Sequence, residues 1–142
     1  MSFTQINLLK HKDWVEDSTA VANALMGQVT QYRKDCNIIG NMWPEKFSLE
    51  PLRMKRYLPD GTDQFGNHVD VNSHESARRF LVFFLYLDDN EKGSTSFPQH
   101  DISSTCTKGS VLIFPPLWPW LHAGEKPINK PKYIIGSYLH YV

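Results

Sequence analysis

Two histidines and one aspartate in the chain are spaced as ligands of a single metal ion could be. His68 and Asp70 flank one valine in a segment predicted to be extended, and His122 follows 52 residues after Asp70. Side chains at positions i and i+2 of a strand point to the same face, so His68 and Asp70 can bind one ion together. Two imidazoles and one carboxylate are a ligand set for iron(II) that leaves coordination positions open. The competing interpretation is a surface His–Asp pair, with His122 as a hydrogen-bonded core imidazole.

A lysine ten residues after His122 begins an apolar segment, Lys132-Tyr133-Ile134-Ile135. If the Lys132 side chain faces the interior, its ammonium can pair with a carboxylate in a partly buried cleft. Such a charge-assisted contact is much stronger there than at the surface. If Lys132 lies at the end of the strand, its stem can instead pack on apolar surface while the ammonium reaches water. The sequence leaves both orientations open.

One helix is predicted near the N-terminus, from a cap at Asp17 or Ser18 to about Lys34. Its apolar side chains recur at helical spacing and form a stripe along one face: Val21, Leu25, Val29 and Tyr32, widened by Ala22 and Met26. Such a stripe must be buried, and the outer face of a sheet is its expected partner. This helical support covers residues 13–36, approximately.

The remainder of the chain, from about residue 47, has the pattern of short strands separated by turns. The predicted strands cover residues 47–58 (as one or two strands), 68–71, 80–87, 95–97, 103–107, 111–114 and 132–142. Turns are predicted at Pro59-Asp60-Gly61 and from Asp88 to Gly93. Residues 80–87 are apolar at every position, which indicates a strand buried on both faces. Regularly spaced short strands indicate a β-sandwich or small barrel, with residues 47–142 as its core.

Composition and charge exclude some classes of function. The 142 residues predict a single domain, 1–142, and 15 basic against 15 acidic side chains leave no net charge. A balanced charge disfavours a protein that coats nucleic acid, because such binding depends on neutralising phosphates. The local basic run Arg53, Lys55 and Arg56 is interpreted as a solvated strand edge.

Neither cysteine usage nor hydropathy predicts an exported or membrane protein. Cys36 and Cys106 form no CxxC pair, so neither a disulfide framework nor a zinc motif is expected. The longest apolar run, residues 80–87, is too short to cross a bilayer. We therefore expect a cytoplasmic protein with no membrane partner.

Together and in this order, the residues resemble the 2-oxoglutarate- and iron(II)-dependent dioxygenases, in particular their prolyl 4-hydroxylase-like branch. The resemblance covers roughly Arg53 to the C-terminus. It implies that His68, Asp70 and His122 hold Fe(II). It also implies that Lys132 binds the C5 carboxylate of the cosubstrate 2-oxoglutarate.

The same resemblance implies roles for further side chains. Tyr57 and Tyr86 fall where these enzymes carry polar residues of the cosubstrate pocket, without indicating which is the main hydroxyl donor. Arg79 falls where relatives place an arginine that faces the peptide substrate. Independently of the resemblance, Trp118 and Trp120, just before His122, could stack on a proline or a planar group, or could cover the open end of the barrel.

The family fold is a double-stranded β-helix, or jelly roll, with the N-terminal helix packed on one sheet. The implied reaction uses Fe(II), 2-oxoglutarate and O2 to hydroxylate a peptidyl proline or similar residue, and releases succinate and CO2. A second possibility within the superfamily is a free amino acid, small metabolite or nucleobase as substrate. Two possibilities of other classes are a cupin-like metal-binding barrel without oxygenase activity and a jelly roll that binds carbohydrate or protein.

Overall fold

The computed structural model describes residues 3–60 and 62–142, which form two antiparallel sheets and one α-helix. The strands, in chain order, are β1 (Thr4–Asn7), β2 (Phe47–Leu49), β3 (Arg53–Tyr57), β4 (Phe65–His68), β5 (Arg79–Tyr86), β6 (Asn90–Phe97), β7 (Ile102–Cys106), β8 (Val111–Phe114), β9 (His122–Gly124) and β10 (Lys132–Tyr141). Helix α1 spans Val15–Asp35, and short 3₁₀ helices lie at Leu8–Lys10, Lys12–Trp14, Gly40–Met42 and Trp118–Trp120.

The two sheets have different sizes and enclose a common interior. The larger sheet has the order β1-β3-β10-β5-β8, and β2 also pairs with β10. The smaller sheet has the order β4-β9-β6-β7. Strands that are neighbours in the sheets are mostly distant in sequence, as in a jelly roll. The predicted mainly-β, double-stranded β-helix with an N-terminal helix is confirmed.

Helix α1 packs against the outer face of the larger sheet. Leu25 and Val29 are almost fully buried there, in one cluster with Phe83 of β5 and Leu139 of β10. Burying a side chain of this size contributes about 1.5–3 kcal/mol. Because side chains alternate along a strand, the other face of β5 points between the sheets and joins a second cluster formed by both of them. This second cluster borders the cavity described below.

Several predicted boundaries differ in the structure. Helix α1 begins at Val15 and has no side-chain cap at Asp17 or Ser18, because the 3₁₀ turn Lys12–Trp14 leads directly into it. The strand predicted over residues 68–71 is instead β4, which ends at His68. The backbone N–H groups of Asp70 and Val71 donate to the carbonyl oxygen of Pro116, at 3.1 and 3.2 Å, and not to a neighbouring strand. The turn predicted from Asp88 to Gly93 is also too long, because β6 already begins at Asn90.

Other local predictions have mixed outcomes. Pro59 and Asp60 form a turn, while Gly61, the third residue of that prediction, lies outside the described residues. Strands β1 and β9 have no counterpart in the sequence prediction, since they contain only four and three residues. Across the described residues, no helix combines the length and the apolar character needed to cross a membrane.

Candidate metal centre and adjoining cavity

His68, Asp70 and His122 lie together on the wall of a cavity between the two sheets. Their potential ligand atoms are all within 4.8 Å of one another. Nε2 of His68 is 3.6 Å from Oδ1 of Asp70, and Nε2 of His122 is 3.4 Å from Oδ2 of the same carboxylate. The three side chains that the sequence predicts as ligands therefore converge on a volume that a single ion could fill.

The imidazole rings are oriented with Nε2 towards this volume. Nδ1 of His68 donates to the carbonyl oxygen of Gly66 at 2.7 Å, and Nδ1 of His122 donates to the carbonyl oxygen of Trp120 at 2.9 Å. Because a carbonyl oxygen only accepts, each Nδ1 carries a proton, and in a neutral ring Nε2 then keeps a free lone pair. Burial also lowers the pKa of His122, which favours the neutral ring. Metal-binding histidines in proteins typically have this arrangement.

The Asp70 carboxylate has one satisfied and one unsatisfied oxygen. The Tyr138 hydroxyl donates to Oδ1 at 2.9 Å, whereas Oδ2 is buried and finds no hydrogen-bond partner among the residues that the structure describes. Burial by itself would raise the pKa of Asp70, but His68, His122 and the Tyr138 hydrogen bond hold it below its usual value. A buried anionic oxygen without a partner is energetically costly, and a divalent cation would remove that cost. The residues present thus fit a bound Fe(II).

Strand pairing in the smaller sheet brings the two histidines together. His68 of β4 lies opposite His122 of β9 in the antiparallel register. The Phe65 ring stacks on the His68 ring with centroids 3.5 Å apart. Asp70 follows the end of β4 and is fixed by the backbone hydrogen bonds to Pro116. The cluster therefore depends on contacts between segments more than 40 residues apart in the chain.

Lys132, at the start of β10, lies inside the protein with 2% of its surface exposed. Its Nζ donates to the carbonyl oxygen of Glu125 at 3.0 Å and lies 4.3 Å from the centre of the Tyr57 ring. Burial is the main cause that lowers the pKa of Lys132, to about 8. A Cβ atom at Gly93 would lie 2.7 Å from Lys132 Cδ, so a glycine is required there for the lysine to keep this path. Of the two orientations left open by the sequence, the interior one is observed.

Tyr57 and Tyr86 both line the cavity, but their hydroxyl groups differ. The Tyr86 hydroxyl shares hydrogen bonds with Thr95 at 2.8 Å and with Ser104 at 2.6 Å. The Tyr57 hydroxyl makes no hydrogen bond to any residue in the described part of the chain. Burial raises the pKa of Tyr57, so its hydroxyl stays protonated and can donate.

The two side chains predicted to face a substrate lie outside the cavity wall. Arg79 makes two hydrogen bonds of 2.9 Å to Glu50, and its guanidinium lies 4.0 Å from the centre of the Tyr138 ring. The Trp120 ring packs edge-on against Phe97, with centroids 5.8 Å apart. Both are half-buried, and their roles in substrate binding stay predictions.

Two titratable side chains that line the cavity are missing from the predicted site residues. The Tyr138 hydroxyl hydrogen-bonds to Asp70. Tyr138 lies six residues after Lys132 on β10, and side chains an even number of residues apart on a strand share a face. This spacing could have predicted that both face the cavity. Lys55 was assigned to a solvated strand edge, and that prediction is wrong for this residue. It is half-buried and lines the cavity, because Lys55 and Tyr57 share the inner face of β3.

Comparison with known families is consistent with this site. A sequence model of the 2OG-Fe(II) oxygenase superfamily matches residues 52–140, more than half of the chain. The protein belongs to this superfamily and is a 2-oxoglutarate-dependent dioxygenase, whose cofactor is Fe(II) and whose cosubstrates are 2-oxoglutarate and O2. No curated protein sequence matches the chain.

Several solved structures share the fold at low sequence identity. A viral collagen prolyl hydroxylase from Paramecium bursaria Chlorella virus-1, in complex with 2-oxoglutarate, has a TM-score of 0.68 and 20% identity, over 87% of this chain and 73% of its own. A Trichoplax adhaerens prolyl hydroxylase bound to a hypoxia inducible factor peptide fragment has a TM-score of 0.71 and 13% identity, over 97% and 61%. A Pseudomonas putida prolyl-4-hydroxylase has a TM-score of 0.61 and 14% identity, over 99% and 71%.

Proposed function

We propose that the protein hydroxylates a peptidyl proline or a similar residue, with His68, Asp70 and His122 as the ligands of Fe(II) and Lys132 as the anchor of 2-oxoglutarate. The observation that carries this proposal is the combination of a buried ammonium and the three-residue cluster on one cavity wall. Burial of the Lys132 ammonium costs free energy unless an anion compensates its charge. A metal-binding barrel without oxygenase activity does not explain why a lysine is buried at this position.

The protein residues bind and orient the reactants in this proposal. Bound Fe(II) and 2-oxoglutarate supply the oxidising power: one oxygen atom of O2 enters the substrate C–H bond and the other enters succinate, with loss of CO2. Lys132 holds the distal carboxylate through a charge-assisted hydrogen bond. Val82, Phe84 and Ile134 form an apolar wall of the cavity and exclude water from the reacting groups.

Tyr57 is the better candidate for the hydroxyl donor to 2-oxoglutarate. Its ring lies beneath the Lys132 ammonium, and its hydroxyl has no partner among the described residues. Tyr86 already shares its hydroxyl with Thr95 and Ser104, so we assign it to bracing the cavity floor. Support for this division comes from the hydrogen-bond geometry.

Support for a prolyl substrate comes from the folds that resemble this one. The similar proteins include hydroxylases named for collagen and for a hypoxia inducible factor peptide. At 20% and 13% identity they share the fold, and the prolyl substrate is our inference. A cytoplasmic location and the absence of nucleic-acid and membrane partners stay predictions.

A turnover assay with proline-containing peptides tests the proposed substrate. With Fe(II), 2-oxoglutarate and O2, we expect peptide-dependent succinate formation and the gain of one oxygen atom on a proline, detected by mass spectrometry. Arg79→Ala should reduce peptide hydroxylation more than succinate formation without peptide, while exposed Arg78→Ala should leave both unchanged. Succinate formation without any hydroxylated peptide would contradict a prolyl substrate, and equal losses in both activities would contradict the role of Arg79.

The pH dependence of 2-oxoglutarate binding follows from the burial of Lys132. Its pKa in the free protein is lowered to about 8, and only the ammonium form binds the carboxylate. The affinity should therefore be nearly constant below pH 8 and should fall by up to about tenfold per pH unit above it. Anaerobic calorimetry on the Fe(II)-loaded protein between about pH 7 and about pH 9 measures this. Lys132→Met is the control, in which the residual binding should lack this decline; the same decline in both proteins would show that another group titrates.

A further inference from the structure

Lys55 is a second cationic side chain in the cavity, and the metal centre and the 2-oxoglutarate anchor do not use it. It lies two residues before Tyr57 on the inner face of β3, opposite Ile134 of β10. It therefore lies about 7 Å along the strand from the pair formed by Tyr57 and Lys132. Its side chain lines the metal cavity and also a neighbouring depression that includes Arg53 and Tyr138.

The Lys55 ammonium has no anionic partner of its own. In the described part of the chain it makes no hydrogen bond and no ion pair, and its contacts are the rings of Phe3 and Phe65, with centres 5.0 and 5.3 Å away. Burial lowers the pKa of Lys55, although the Asp70 charge opposes this shift. By contrast, the nearby Arg79 is already neutralised by Glu50.

Among the side chains that line the cavity, the positive charges would outnumber the negative ones once Fe(II) and 2-oxoglutarate are bound. Fe(II), Lys55 and Lys132 bring four positive charges, whereas Asp70 and the 2-oxoglutarate dianion bring three negative ones. The two carboxylates of 2-oxoglutarate are already assigned to the metal and to Lys132. One positive charge is therefore left at Lys55, in a half-buried position where an unpaired charge is unfavourable.

We propose that Lys55 binds a carboxylate of the primary substrate and makes the enzyme selective for substrates that carry one close to the hydroxylated carbon. This inference rests on the proposed function. Arg53, exposed on the same face of β3 and beside Lys55 in the depression, continues the positive surface outward from the cavity. The carboxylate can belong to an acidic side chain next to the target residue of a peptide or to a free amino acid.

Two matched pairs of probes test this inference and separate the two sources. One pair consists of acetyl-Glu-Pro-Gly-amide and acetyl-Gln-Pro-Gly-amide, and the other of L-proline and L-prolinamide. Their affinities are measured by calorimetry under nitrogen, at millimolar concentrations, with protein loaded with Fe(II) and 2-oxoglutarate. The variants are Lys55→Met, Lys55→Arg and, as a control, exposed Lys46→Met.

In the wild type, the carboxylate member of one pair should bind about tenfold more tightly than its amide partner, as a charge-assisted hydrogen bond predicts. Lys55→Met should abolish this preference, while Lys55→Arg and Lys46→Met should retain it. A preference confined to the peptide pair assigns the carboxylate to a neighbouring acidic side chain. A preference confined to the proline pair assigns it to the substrate's own carboxylate.

Three results would overturn the inference. The wild type could show no preference for the carboxylate member of either pair, which includes the case that no probe binds, or the preference could persist in Lys55→Met. The third is a loss of 2-oxoglutarate affinity in Lys55→Met as large as the loss in Lys132→Met. The last would mean that Lys55 serves the cosubstrate. Failure of the proposed function has a different signature: a preference confined to the proline pair and abolished in Lys55→Met would keep Lys55 as the carboxylate site while contradicting a peptidyl substrate. Unchanged 2-oxoglutarate affinity in Lys132→Met would contradict the cosubstrate anchor without affecting the role of Lys55. Folding is not at risk in Lys55→Met, because methionine replaces a half-buried charge with an apolar chain of similar length.

Discussion

Asp70→Ala is expected to remove Fe(II)-dependent turnover and to weaken Fe(II) binding by at least about a hundredfold, because it deletes the anionic member of the ligand set. The two imidazoles left behind carry no charge to offset that of the metal. The Tyr138 hydroxyl also loses its acceptor, so the hydrogen bond between the C-terminal half of β10 and the metal centre is lost. Anaerobic calorimetry with Fe(II) measures the loss of affinity directly.

Asp70→Asn removes the negative charge of the side chain but keeps its size and shape, so it separates these two effects. The amide oxygen can still accept from Tyr138, so the fold should be retained while Fe(II) binding falls nearly as far as in Asp70→Ala. Asp13→Ala, at an exposed position far along the chain, is the control for general effects of removing a carboxylate. Wild-type Fe(II) affinity in Asp70→Ala would contradict the assignment of the metal site.

Lys132→Met is expected to raise the dissociation constant for 2-oxoglutarate by about a hundredfold while leaving Fe(II) affinity unchanged. Removing one partner of a buried, hydrogen-bonded charge pair costs about 2–5 kcal/mol, which corresponds to about 30-fold to 5,000-fold in affinity. Methionine keeps the apolar stem that packs beneath Gly93. Calorimetry with 2-oxoglutarate, after saturation with Fe(II) under nitrogen, separates the two affinities.

Lys130→Met is a suitable control, since Lys130 lies in the loop just before β10 and forms an exposed ion pair with Asp88. It should bind 2-oxoglutarate as the wild type does, because exposed ion pairs contribute little. If Lys132→Met bound 2-oxoglutarate as tightly as the wild-type protein, Lys132 would not be the cosubstrate anchor. A parallel loss of Fe(II) affinity would instead indicate that the substitution disturbs the whole cavity.

The metal cluster was accessible from the sequence because residue type and spacing restrict it strongly. The i, i+2 spacing of His68 and Asp70 predicts that they act as a pair, and Lys132 is a charged residue at the start of an otherwise apolar strand. A shared strand face does not explain by itself why His68 and Asp70 converge. The strand ends at His68, and Asp70 is held by hydrogen bonds to Pro116, a contact 46 residues away in the chain. A local sequence pattern does not predict a hydrogen bond between residues so far apart in the chain.

The prediction failed where long-range contacts decide the environment. Lys55 lies in a basic run that suits a solvated edge, yet β10 pairs with β3 and turns Lys55 towards the cavity. The salt bridge from Arg79 to Glu50 joins residues 29 positions apart, and no local pattern predicts such a partner. Strand β9 has only three residues and acquires its extended form from pairing with β4 and β6. These features follow from the sheet topology.

We propose that one cavity binds Fe(II) and 2-oxoglutarate together, through His68, Asp70, His122 and Lys132. The most direct test adds Fe(II) and then 2-oxoglutarate to the metal-free protein under nitrogen and records the visible spectrum. We expect a saturable metal-to-ligand charge-transfer band that is weakened in Lys132→Met at the same 2-oxoglutarate concentration. If Fe(II) binds and no band forms at any 2-oxoglutarate concentration, the cosubstrate does not chelate the metal here and the proposed site is wrong.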